Sequence, residues 1–407
     1  MESKDNKDIS ISLTSFFMKF AGFWLAADQS EQRRRDFAMI YTIGSFSFAI
    51  YLLTLLKLNF RGLYFYTLDC LYAASNLLTT AVVLYKVVLL AIFRVKFKNL
   101  ILYTQRHFWH TNYDEHEMKI IGGCKKTCTF FICSFTFFAL GTCVAYSSSP
   151  IIENRGKNES ARMLPFNMWT KLPLSITPYF EIAFVFLIHH VGTCYFCFDN
   201  FLCIVNIHVS GQFRILQYRL RTLCGIVTDG EEQNQCCDLI TLNNTEECYE
   251  AFKSCVRQHQ SLIAYCERLE ELFTLIVLGQ VLVFSLLICL VGYQILVADG
   301  PTLRRYIFIF HLAGTLSQLI MFTYSCDGLI EQSGRMATAS YSLPWAILIT
   351  NKAGRNLRRD VTMMIMRARR TCCITASGFF PVSLETYTVL STAMSYFTLL
   401  RQTTGSS

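Results

Sequence analysis

Charge is scarce in this sequence. Only 16% of its 407 residues are Asp, Glu, Lys or Arg, whereas 53% are hydrophobic, with 34 Phe and 20 Tyr among the aromatics. A soluble chain of this size has no core able to hide that much apolar surface, so a polytopic membrane protein is the expected class. A cleavable leader is not expected either. The opening run MESKDNKDISISLTSFFMKFAGF is polar with dispersed charge, without the basic start, apolar middle and small-residue cleavage site of a signal peptide. The first hydrophobic span is therefore expected to act as the insertion signal. There is no low-complexity tract or internal repeat, and the hydrophobic halves do not resemble each other as they do in many transporters. HExxH, a nucleophile elbow and paired intramembrane carboxylates are also absent, so neither enzyme chemistry nor a cofactor is expected.

Windows nearly free of charge and long enough for a membrane helix, about 17 to 25 residues, fall at 37–56, 63–85, 127–146, 180–207, 272–297 and 306–326, and residues 383–401 make a seventh. The expected fold is an all-α membrane protein, one domain over 1–407 with seven transmembrane helices. Lys and Arg resist translocation and so set orientation. Segments 1–36, 94–126, 208–271 and 327–382 carry 27 of them, against 9 in 57–62, 148–178, 298–305 and 401–407. The N-terminus should therefore be cytoplasmic and the short C-terminus extracellular. The net charge of +8 sits mainly in the cytoplasmic loops, where it marks orientation and contact with anionic membrane lipid, not nucleic acid.

The 18 Cys do not suggest a disulfide framework, because none falls in the four outer segments. Cys70 and Cys143, near the outer ends of two spans, are the one candidate bridge. Cys194 and Cys197 form a CxxC, and Cys236-Cys237 and Cys372-Cys373 are doublets. No second ligand pair stands near any of them, so no zinc site is expected. The topology also makes a prediction about glycosylation. Asn158 opens a sequon in the outer loop after the third span, whereas Asn243 opens one on the cytoplasmic side. Any N-glycan should map to Asn158; mass-spectrometric detection of one on Asn243 would overturn the orientation.

Segments 208–271 and 327–382 are expected to form a cytoplasmic helical anchor. HVSGQFRILQYRLRTLC (208–224) and EECYEAFKSCVRQHQSLIAYCERLEE (246–271) should extend the fourth and fifth spans as helices, with a polar, Gly-containing loop between them. In the second, Tyr249, Phe252, Val256, Leu262, Ile263, Cys266, Leu269 and Phe273 recur at largely helical spacing, a stripe that packs either within the chain or against another subunit. NKAGRNLRRDVTMMIMRARR (351–370) reads as a basic amphipathic helix with Leu357, Val361, Met364 and Ile365 on one side, suited to the membrane surface or to a cytoplasmic bundle. Pro381 disfavours helix in the residue before it, and Ser383 followed by Glu385 and Thr386 offers an N-cap with acid near the positive helix end. The terminal helix should restart there. Within it Thr388, Ser391, Thr392, Ser395, Thr398 and Gln402 recur at steps of three and four and share a face. Such a polar stripe either lines a conduction path or hydrogen-bonds across a helix bundle.

Taken together, SGQFRILQYRLR after the fourth span, CVRQHQSLIAYCERLEELF before the fifth and PVSLETYTVLSTAMSYFTLLR at the end resemble the insect odorant receptors, over essentially the whole chain. The resemblance implies an odorant-gated, non-selective cation channel in the plasma membrane of olfactory neurons. In such channels tuning subunits join a shared co-receptor subunit in a heterotetramer. The short loop around 225–245 resembles a tuning subunit, because the co-receptor carries a much larger insertion there. The resemblance favours subunit contacts for both amphipathic segments and makes the terminal helix a pore wall. Matching the family's ending onto SYFTLLRQT places its aliphatic gate at Leu399 and near Thr403; the second position is polar here, and Arg401 adds positive charge at the outer mouth. Replacing Leu399 by Ala should raise the ligand-free current; unchanged basal conductance at normal surface level would remove this assignment.

The family's odorant pocket lies in the outer half of each subunit, among the second, third, fourth and sixth spans. By resemblance, Asp69, Tyr72, Phe138, Thr142, Tyr146, Phe180, Phe184, Phe308 and His311 are the candidate ligand-binding residues. Small volatile odorants offer few polar atoms, so such a pocket works through shape, dispersion and aromatic faces with few hydrogen bonds. Any single aromatic here also reads as core or lipid packing. Asp69 and His311 stand out because ionisable groups inside a span are costly and face protein or water. Glu181 and Asp199, near the ends of the fourth span, read as solvated interface positions, and the adjacent His189 and His190 cannot face one side to hold a metal. A G-protein-coupled receptor is disfavoured by the 27-to-9 charge count and by the absence of DRY and NPxxY runs. The related gustatory receptors are the nearer alternative, but SYFTLL resembles the odorant branch, not their TYxxxxxQF ending.

Overall fold

The structure, a computed structural model, describes residues 9–26, 28–58, 67–107, 113–153, 177–222, 242–297, 302–342 and 352–388. Its elements in chain order are α1 (Ile9–Phe20), α2 (Gln29–Leu58), α3 (Thr67–Ile92), α4 (Arg94–His107), α5 (Glu115–Glu153), α6 (Thr177–Thr222), α7 (Leu242–Val297), α8 (Thr302–Tyr341) and α9 (Lys352–Ala368). Stretches of α3, α5, α6, α7 and α8 are each long and apolar enough to cross a membrane. The chain is thus a nearly all-helical, multi-pass membrane protein. The expected first span falls in α2, and the expected seventh is described only as far as Thr388. At about 1.5 Å per residue, the 46 residues of α6 and 56 of α7 far exceed a hydrocarbon layer of roughly 30 Å. Both helices therefore continue well beyond it, as the amphipathic runs 208–224 and 246–271 require. Phe130, Phe137, Phe186, Leu282 and Leu286 stay exposed on the outside of these helices, an arrangement suited to lipid as the surrounding solvent.

The core is organised on α6, which packs against α1, α5, α7 and α8. Its Phe196, Phe198 and Phe201 are buried and meet Phe17, Phe23 and Phe97 edge to face, at centroid distances of 4.8, 5.2 and 5.2 Å. Edge-to-face pairs of this kind add roughly 0.5–1.5 kcal/mol each to area burial. The polar-looking N-terminal segment is thus part of the core, with Met18, Ala21, Phe23 and Trp24 buried. Gly22 allows the chain to turn there. Its φ is +86°, and a Cβ would stand 2.5 Å from the Arg35 carbonyl oxygen, so only glycine fits.

In the anchor, Tyr249, Phe252, Leu262, Ile263, Cys266, Leu269 and Phe273 are buried inside the chain's own core, and Val256 packs against it. Leu357, Val361 and Met364 of α9 are buried likewise, with Ile365 partly covered. Of the two partners left open for these stripes, the chain itself covers them, against the subunit contacts that the resemblance favours: α9 lies on α7 and α8 and closes the stripes internally. Polar links hold the same layer. Arg219 grips Glu117 with Nε–Oε1 2.5 Å and Nη2–Oε2 3.0 Å, a bidentate fork, and the Tyr249 hydroxyl donates to Asp360 at 3.1 Å. The outward side of this region leaves Met363, Met366, Phe379 and Phe380 exposed.

Candidate ligand cavity

Where α3, α5, α6 and α8 meet, the side chains do not fill the space. A cavity of about 110 Å³ remains, with Ala49 of α2 on its wall. Engineered cavities of about 150 Å³ hold benzene, so the space matches a ligand of that order. Most of the wall is carbon, contributed by Phe135 and Ala139 of α5 and by Phe184, Leu187, Ile188 and Val191 of α6. Gly192 also lines it and lets α6 come so close to α5 that a Cβ would lie 2.3 Å from Cys143 Sγ. Cys143 is a free, buried thiol, which removes the bridge to Cys70.

The polar wall groups come from several helices: Asn76, Thr79 and Thr80 of α3, Thr142 and Tyr146 of α5, Tyr195 of α6, and His311 and Thr315 of α8. Tyr146 Oη lies 3.3 Å from His311 Nδ1. The threonine hydroxyls donate to carbonyls one turn back in their own helices: Thr79 to Ser75, Thr80 to Asn76, Thr142 to Phe138 and Thr315 to His311, all at 2.8–2.9 Å. With their donors satisfied, these residues present mainly methyl groups, and the cavity stays greasy despite its composition.

Of the nine candidate residues, Thr142, Tyr146, Phe184 and His311 are on this wall. Phe308 is buried with Cys143, Tyr146 and Phe184 in the cluster that backs it. Phe138 turns instead to the seam between α5 and α8, its ring 6.4 Å from that of Phe310. The side chains of Asp69, Tyr72 and Phe180 lie outside the described residues, as do Asn158 and, in the terminal helix, Ser391, Thr392, Ser395, Thr398, Leu399, Gln402 and Thr403. Reasoning from sequence missed Asn76, Thr79, Thr80, Tyr195 and Thr315. Asn76 carried a usable signal, an amide inside an apolar window; the threonines did not.

Directly behind the cavity is a buried charge pair. Lys86 of α3 lies 5.2 Å from the centre of the Tyr195 ring and donates to both Asp199 oxygens, at 3.0 and 2.8 Å. Gln280 of α7 donates to Asp199 Oδ2 at 2.9 Å, and Gln318 of α8 donates to the same atom. Asp199 is 3% exposed and Lys86 fully buried. The reading of Asp199 as a solvated interface residue is therefore wrong: a carboxylate survives inside the bundle because one ammonium and two amides saturate it. Nearby, the buried His190 is tied to α2: its Nε2 lies 3.0 Å from Thr42 Oγ1.

The terminal helix starts within reach of this machinery. After α9 the chain makes a tight hairpin, with Ser377 and Gly378 at φ 53° and 78° and Val382 N–H donating to the Ile374 carbonyl at 2.9 Å. Two successive residues of positive φ fit the right-handed twist of such a turn. Thr274 of α7 holds it by donating to the Thr375 carbonyl at 3.0 Å and accepting from Ser377 N–H at 2.9 Å. The expected cap is present. Ser383 Oγ accepts from Glu385 N–H at 3.3 Å, and Thr386 Oγ1 reaches back to Ser383 N–H at 3.3 Å. Leu384 N–H points to Asp327 of α8 at 3.4 Å, and Tyr387 packs against Phe284, Ile288 and Leu319. One helix, α8, thus meets the cavity through His311 and Thr315, the buried carboxylate through Gln318, and the terminal helix through Leu319 and Asp327.

The fold and the site define a multi-pass helical membrane protein with an internal cavity of small-molecule size. The 7tm Odorant receptor family model matches residues 67–394, and the chain belongs to that family. Odorant receptor 13a of Drosophila melanogaster is 25% identical over 423 residues, covering 97% of this chain and 96% of its own. Odorant receptor 10 of Aedes albopictus is 26% identical over 234 residues, or 56% of each chain. Among solved structures, the insect olfactory receptor OR5 from Machilis hrabei in complex with eugenol has the same fold, with a TM-score of 0.78 at 15% identity over 97% of both chains. The family is one of receptors, not enzymes.

Proposed function

We propose that this chain is the tuning subunit of an odorant-gated, non-selective cation channel, working with a co-receptor subunit in a heterotetramer at the plasma membrane of olfactory neurons. The observation that carries this reading is the small, largely apolar cavity joined through α8 to the start of the terminal helix. An odorant filling the cavity presses on α8 at His311 and Thr315. The same helix holds the terminal helix at Leu319 and Asp327, so a shift of α8 tilts that helix while the hairpin clamped by Thr274 serves as its pivot. The hydroxyl face from Thr388 to Gln402 then forms part of the pore wall, with Leu399 at the constriction. The exposed Met363, Met366, Phe379 and Phe380 supply apolar surface for neighbouring subunits, now that the buried stripes are committed within the chain.

The test is expression with and without a co-receptor, with currents recorded against a diverse panel of volatiles. Cation current evoked only on co-expression is the expected result. A response that depends on G proteins and needs no co-receptor would defeat the proposal.

A further inference from the structure

The cavity's hydrogen-bonding inventory is unbalanced. Among the described wall residues there is no carboxylate, ammonium or guanidinium. Lys86 and Asp199 lie behind Tyr195 and satisfy each other. The four threonine hydroxyls donate within their own helices, and Tyr146 is engaged with His311. Two wall groups are left over. Asn76 Nδ2 and Tyr195 Oη are both buried and have no hydrogen-bond partner. They come from different helices, α3 and α6, and both residues line the same space. An amide N–H can only donate, and a phenol O–H needs an acceptor for its proton. Buried donors without partners are rare in folded proteins and costly.

We propose that the ligand completes this inventory: it is a neutral oxygenated volatile, a ketone, aldehyde, ester, ether or alcohol, whose oxygen accepts from Asn76 and Tyr195 while its hydrocarbon part fills the apolar wall. The absence of charged lining groups among the described residues argues against carboxylic acids and amines, which would enter ionised or lose their charge at a cost. A plain hydrocarbon would fill the space yet leave both donors unpaired, and sites with polar groups built to pair discriminate strongly against ligands that cannot pair with them. This inference rests on the reading of the cavity as the odorant site.

The experiment uses the full chain co-expressed with a co-receptor and pairs of volatiles matched in skeleton: acetophenone with ethylbenzene, benzaldehyde with toluene, 2-heptanone with heptane. In the wild type, oxygenated members should act at about tenfold lower concentration than their hydrocarbon partners, as expected for one or two hydrogen bonds. In Asn76→Leu and in Tyr195→Phe, the half-maximal concentration for the oxygenated member should rise about tenfold, with the hydrocarbon response unchanged or improved. Surface labelling, with the hydrocarbon current as internal control, separates lost recognition from lost protein. Equal shifts for both members of a pair, no shift in either variant, or a wild type that prefers acids, amines or hydrocarbons would overturn the ligand class. Ala139→Phe, which fills the cavity, should abolish responses to the whole panel. If it leaves them intact, or if a surface-expressed wild type is silent to every compound, the cavity reading itself fails and this proposal falls with it.

Discussion

Replacing Lys86 by Met should strip the protein from the cell surface and abolish ligand-evoked current. The substitution leaves Asp199 buried with only the amides of Gln280 and Gln318 as partners, and breaking one side of a buried pair costs about 3–5 kcal/mol. Total stabilities of about 5–15 kcal/mol leave little margin for that loss. Asp199→Leu alone should be as damaging, because it strands the ammonium. The double variant Lys86→Met with Asp199→Leu removes both charges for apolar groups of similar size, and such replacements are often neutral or stabilising. Surface biotinylation should therefore recover in the double variant. The current then decides what the pair is for. Surface recovery with current restored makes it a structural device; recovery without current makes it part of the link from cavity to terminal helix, since it ties α3 and α6 to α7 and α8. Wild-type surface level and current in Lys86→Met would show that the pair is not intact in the working protein.

The same pair marks the limit of what the sequence discloses. Apolar windows locate spans by interrupting themselves at charge, so the second span was ended just before Lys86 while α3 runs on to Ile92. Lys86 and Asp199 are 113 residues apart, and nothing local to either names the other. Local signals fared better. Helical periodicity carried α6 and α7 beyond the bilayer and located α9, and the Pro381–Ser383 signature placed the restart of the terminal helix, because caps and breakers act over three or four residues. The stripes on α7 and α9 were visible, but their partner was not: periodicity reveals that a face is covered, not by what. Residues 9–26 hid their role for the opposite reason, since a short segment with dispersed charge gives no hint that Phe17 and Phe23 pack against α6. In the cavity, the ionisable His311 drew notice, whereas Gly192 gave no signal, because the value of a missing side chain depends on what stands opposite.

That missing side chain supports a second strong expectation. Gly192→Ala should lower odorant sensitivity by at least about tenfold, although it adds only a methyl group and leaves helix propensity improved. The new Cβ would stand 2.3 Å from Cys143 Sγ, so α5 and α6 must separate or the thiol must swing aside, and overpacking of this kind costs about 1–3 kcal/mol. Either response disturbs the wall, because Gly192 and Cys143 both line the cavity. Cys143→Ala removes the obstructing atom; the next atom of that residue, Cβ, lies 4.0 Å from the added carbon, an ordinary contact. The pair Gly192→Ala with Cys143→Ala should therefore respond to odorants better than Gly192→Ala alone, a coupling that a double-mutant cycle of half-maximal concentrations measures directly. Additive effects would mean that the two helices do not meet at this point when the ligand binds. Recovery in the double variant would locate the determinant of sensitivity in the spacing of α5 and α6, a property set by the absence of an atom.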